Sequence, residues 1–99
     1  RQALIRAMVE DRNPGVRLKA LESLAPYAND PEVRAALVRA VRNDDTSGMR
    51  VMAIDLLTAE PDREIAGVLQ DLVATETNSY VRMRCQKALV ELNASVDVY

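Results

Sequence analysis

The chain repeats itself at an interval that few folds can accommodate. Three segments superpose on a Val/Met-Arg pair, Val16-Arg17, Met49-Arg50 and Val81-Arg82, spaced 33 and 32 residues apart. A self-match at this period implies supersecondary units that cannot bury their apolar faces alone and must stack on one another. Three residues before each pair stands Asn13, Thr46 or Asn78. These residue types accept hydrogen bonds from the unpaired N–H groups of a first helical turn. Pro14 follows Asn13 and suits the first helical position, where its missing N–H costs nothing.

The match continues at helical spacing. Four residues after each Val/Met come Ala20, Ala53 and Cys85, and eight after it come Leu24, Leu57 and Leu89. That is one buried stripe per helix. An upstream helix repeats the pattern with Leu4, Leu37 and Leu69, then Ala7, Ala40 and Leu72, then Met8, Val41 and Val73. Val33 and Ile65 add a further matched turn, and Asp30-Pro31-Glu32 and Glu60-Pro61-Asp62 open their helices with acid and proline. The pattern predicts an all-α chain of six helices over about 1–10, 14–27, 31–43, 47–59, 62–75 and 79–93. Paired, they give three hairpin repeats over about 1–29, 30–60 and 61–93, with Pro26 ending or kinking the second helix. Residues 94–99 read as a C-terminal tail, in which Val96 and Val98 alternate too briefly to make a strand.

Composition agrees with close helix packing. Apolar residues are 48% of the chain, yet its only aromatics are three tyrosines, so Leu, Val, Ile, Ala and Met must fill the core. A net charge of −2 provides no whole-domain field to attract nucleic acid or anionic lipid. No apolar run approaches the roughly 18 residues of a membrane span. The single cysteine, Cys85, excludes an internal disulfide.

Asp11-Arg12-Asn13-Pro14-Gly15-Val16-Arg17, followed by Ala20 and Leu24, resembles the HEAT repeat, including its bacterial variants. The resemblance implies antiparallel helix pairs stacked as an α-α superhelix, with an acid and an arginine in each repeat forming a ladder along the stack. Asp11, Asp44 and Glu76 precede Arg17, Arg50 and Arg82 by six residues each, so all three repeats meet that pattern. The stretch from Asn78 through Val96 is also similar to the C-terminal part of bacterial proteins that carry a zinc-binding, anti-sigma-like module and a membrane helix. That second resemblance implies a membrane-anchored regulator and an extracytoplasmic placement if a membrane helix precedes Arg1; otherwise the cytoplasm is the default.

The functional expectation is a non-catalytic protein-interaction scaffold. The ladder could form a basic recognition strip, but the acid companion of each arginine argues for internal neutralisation and hydrogen bonding to loop carbonyls. A second strip, Leu18, Val51 and Met83, stands two residues after each Val/Met, and Leu21, Ile54 and Gln86 stand five after it. In the resembled family the second helices line the concave face, so this strip either forms a groove for a partner protein or peptide or packs repeat on repeat. Lys19, Met52 and Arg84, with Glu22, Asp55 and Lys87, would surround such a groove. Leu4, Ile5 and Met8 lie on a first helix that carries no polar cap, which predicts contact with a preceding domain or another copy.

Catalysis has little to stand on. No histidine is present, and Cys85 falls on the buried stripe at an alanine-equivalent position, so neither a catalytic site nor a metal or cofactor site is expected. The alternatives are a structural spacer or self-association module and, more remotely, a HEAT-like nucleic-acid-binding enzyme. The latter needs a basic groove and aromatic side chains. Arg34, Arg39 and Arg42 share one helix, but Trp and Phe are absent.

Overall fold

The computed structural model describes residues 1–97, with side chains through Asn93. Its described residues form six α-helices and no strand: α1 (Gln2–Glu10), α2 (Pro14–Leu24), α3 (Pro31–Asn43), α4 (Ser47–Ala59), α5 (Arg63–Thr75) and α6 (Ser79–Asp97). Consecutive helices pair as α1–α2, α3–α4 and α5–α6. The pairs then stack, first helix on first helix and second on second. The Cα trace measures 40 × 28 × 15 Å, a slab two helices wide. Its core is one continuous cluster that includes Leu24, Leu37, Leu57 and Leu69, so the predicted stripes are the buried ones.

Each hairpin turns in three residues, and the first residue of the turn organises it. Asp11 Oδ1 accepts from the Asn13 N–H at 2.9 Å, Asp44 Oδ1 from the Thr46 N–H at 2.8 Å, and Glu76 Oε2 from the Asn78 N–H at 3.0 Å. A carboxylate that binds the backbone two residues on closes a tight turn without help from glycine. Asn13 then caps α2 by accepting from the Gly15 N–H, and Asn78 caps α6 by accepting from the Tyr80 and Val81 N–H groups. Thr46 breaks the expected series. It makes no side-chain cap to α4, because its hydroxyl is committed to Asp45 and to an arginine of the preceding repeat.

Three boundaries differ from the sequence pattern for local reasons. Helix α2 stops at Leu24, and Ala25–Tyr27 tighten into a 3₁₀ turn around Pro26, as a ring that forbids the next helical hydrogen bond requires. Helix α5 begins at Arg63 with Asp62 as its cap, accepting from the Ile65 N–H at 2.9 Å. Asp62 therefore matches Asp30, which caps α3, whereas Pro61 lies outside its helix and Pro31 lies inside. Helix α6 runs on to Asp97, past the boundary expected at Asn93, and Val98 and Tyr99 lie outside the described residues.

Candidate interaction surface

The predicted ladder is present, but its ion pairs cross the repeat boundaries. Arg17 Nε donates to Asp44 at 3.0 Å and Arg17 Nη2 to Asp45 at 2.8 Å. Arg50 grips both carboxylate oxygens of Glu76. Within its own repeat each arginine instead donates to a backbone carbonyl: Arg17 to Asp11, Arg50 to Val41 and Arg82 to Glu76. The carboxylates of Asp44 and Glu76 each therefore do two jobs, closing a turn and holding the arginine of the repeat before. Glu76 is kept below the usual carboxylate range, first by the hydrogen bonds from Arg50 and then by the Asn78 N–H.

A second column, on the first helices, escaped the sequence pattern. Arg1 pairs with Asp30 at 2.6 Å, and Arg34 pairs with Asp62 at 3.2 Å while donating to the Leu57 carbonyl. Arg1 and Arg34 stand 33 residues apart and Asp30 and Asp62 stand 32 apart, so the period carried the signal. Pro31 and Pro61 do not share that register, because Pro31 lies inside its helix and Pro61 outside. This column and the Arg42–Asp71 pair also place carboxylates beside two of the three arginines of α3.

The expected partner-binding residues divide by exposure. Leu21 and Ile54 are fully buried and belong to the core; Ile54 is corrected from a surface to a packing residue, whereas Leu21 also borders a cleft between α2 and α4. Their side chains lie five positions after the anchor, which points inward on these helices. Leu18 and Val51 are half-buried against the core, whereas Met83, at the same position in the last repeat, is 58% exposed. Leu18 borders the cleft between α2 and α4, and of the three only Met83 is largely exposed. Lys19 and Met52 face solvent, and Arg84 bridges α6 to Asp55 on α4. Met8 is a second correction. Expected at the first helix's open edge, it is fully buried, while Leu4 is exposed and Ile5 half-buried.

The second helices leave a channel between α2 and α4. Two adjoining clefts of about 270 and 250 Å³ meet at Met52. Leu18 and Met49 line one, Leu21, Ala25 and Leu56 the other, and Glu22 and Asp55 form the acidic rim. One repeat later Asp55 and Arg84 occupy the positions of Glu22 and Met52 and pair across the equivalent space. An arginine spans the gap to a carboxylate, whereas a methionine cannot pair with Glu22 and leaves the apolar floor open.

Cys85 is fully buried, and burial pushes its thiol above the usual range, the opposite of what a nucleophile requires. No helix among the described residues is long and apolar enough to cross a membrane.

No curated protein and no solved structure matches the chain. The family model of HEAT repeats matches residues 1–90, nearly the full run of stacked hairpins. With its three helix pairs, its cross-boundary arginine ladder and that match, the chain belongs to the HEAT-repeat family.

Proposed function

We propose that this chain is a partner-binding module that seats an apolar segment of another protein in the α2–α4 channel. HEAT repeats commonly serve as protein-interaction scaffolds and are generally non-catalytic. One observation carries the choice of surface: Met52 stands 37% exposed over two apolar clefts, where the next repeat has an ion pair. An exposed methionine above a leucine-lined floor offers adaptable apolar contact, and an amphipathic helix is the segment that lays such a face into a groove. Glu22 and Asp55 on the rim favour a basic residue beside the apolar anchors. The membership of a larger regulatory protein suggested by the sequence is compatible with such a module.

The test is a selection of displayed peptides on the wild-type chain with counter-selection on Met52→Asp. Helical content by circular dichroism first establishes that the variant folds. Selected peptides should carry apolar residues at helical spacing and bind the variant at least tenfold more weakly. Peptides that bind both chains equally, or a selection that yields none, would overturn the assignment of this channel.

A further inference from the structure

The two internal boundaries show what each outer face of the stack has to offer. At each boundary the downstream repeat presents a leucine of its first helix, the Val/Met of its second and a ladder acid. At the first boundary these are Leu37, Met49 and Asp44; at the second they are Leu69, Val81 and Glu76. All four apolar residues are at most 2% exposed. The first repeat presents the same set outward. Leu4 is 37% and Val16 41% exposed, and among the described residues the Asp11 carboxylate accepts only from the Asn13 N–H. Beside them lies an open cleft of about 360 Å³ lined by Ala3, Arg6, Ala7, Glu10 and Asp11. One repeat later, Ala36 and Ala40 hold the alanine positions and are buried.

The third repeat presents the opposite set. Met83 stands at the position of the half-buried Leu18 and Val51, and Arg82 stands where Arg17 and Arg50 reach for the next acid. Among the described residues, Arg82 donates only to its own repeat's Glu76 carbonyl. One face thus carries an acid beside exposed leucine and valine, and the other carries an arginine beside exposed methionine. Both halves of a repeat boundary exist on one chain, in the register that the internal boundaries already use.

We infer that two copies of this chain stack head to tail, with Arg82 of one copy pairing with Asp11 of the next and Met83 covering part of the Leu4–Val16 face. Two features make this contact weaker than an internal boundary. Gln86 replaces the buried Leu21 and Ile54, and Ala66 replaces Arg1 and Arg34, so the first-helix column does not continue. The association is therefore reversible and concentration-dependent. Because the two surfaces differ, it adds copies in a line.

Sedimentation equilibrium across a concentration series tests it. The wild-type mass should rise from the 11.0 kDa of one chain towards multiples of it. Asp11→Asn, which keeps an acceptor for the Asn13 N–H, should weaken association at least tenfold with unchanged helical content. Asp11→Arg and Arg82→Asp should each fail to associate alone. An equimolar mixture of the two should regain association, because the wild-type pair then forms between unlike copies. A wild-type mass that grows beyond two chains excludes a closed symmetric dimer. A wild-type mass that stays at one chain throughout overturns the inference and leaves these faces to another domain. Association that survives Asp11→Asn unchanged, or a mixture that is not restored, overturns it as well.

Discussion

Arg50 and Glu76 meet across the boundary of the second and third repeats in a two-pronged pair, their side chains only 14% and 7% exposed. Taking one member away leaves the other desolvated and charged, which costs far more than the pair gains over an apolar replacement. Glu76→Gln should therefore lower stability by roughly 3 kcal/mol. Urea denaturation of both chains reads the difference directly. A loss under about 0.5 kcal/mol, ordinary for a surface substitution, would show the pair to be structurally idle.

Acid should act through the same group. Glu76 is lowered chiefly by the Arg50 hydrogen bonds, and Asp62 is lowered first by the Ile65 N–H that it caps. A carboxylate with a depressed folded-state value binds protons more readily when unfolded. Its stabilisation is complete above the unfolded value of about 4 and is lost as pH falls through the lower folded value. The urea midpoint should stay level from neutral pH down to about 5 and fall steeply below about 4. Glu76→Gln should flatten that fall, and an equally steep fall in the variant would assign acid sensitivity elsewhere.

The repeat was legible because one residue type recurs at one period and each copy serves the same purpose. Stripe, cap and ladder all follow from spacing, as Leu24, Leu57, Asn13, Asn78 and Arg50 illustrate. What spacing withheld was direction. An acid six residues before an arginine does not say which repeats pair: the arginine takes the loop carbonyl of its own repeat, as expected, and the carboxylate turns to the previous repeat. Periodicity also cannot separate a groove from a seam, since both need apolar residues on the second helix. Leu21 and Ile54 became core and Met52 became surface through the packing of α2 on α4.

That division yields a paired test of packing. Ile54 is fully buried and Met83 is 58% exposed, although both were candidates for one strip. Ile54→Ala should cost roughly 2–5 kcal/mol, as a truncation that leaves a cavity in a core does. Met83→Ala should stay within about 0.5 kcal/mol at concentrations where the chain is monomeric. Thermal midpoints separate the two easily, because about 1 kcal/mol moves a domain of this size by roughly 4–8 °C. Equal losses would mean that the strip has one role throughout.

Cys85 reports on opening of the third hairpin. It replaces the alanine of the first two repeats, is fully enclosed, and is held in its protonated form by burial. A thiol must be exposed and ionised to react, so a disulfide reagent should label the folded chain only through opening. The labelling rate should be at least a hundredfold below that of the urea-unfolded chain and should rise with denaturant as the hairpin opens. Glu76→Gln should accelerate labelling, since the carboxylate holds the α5–α6 turn closed while pairing with Arg50. Rapid labelling of the native wild type would place Cys85 outside the core, whereas an unchanged rate in Glu76→Gln would separate its environment from the ladder.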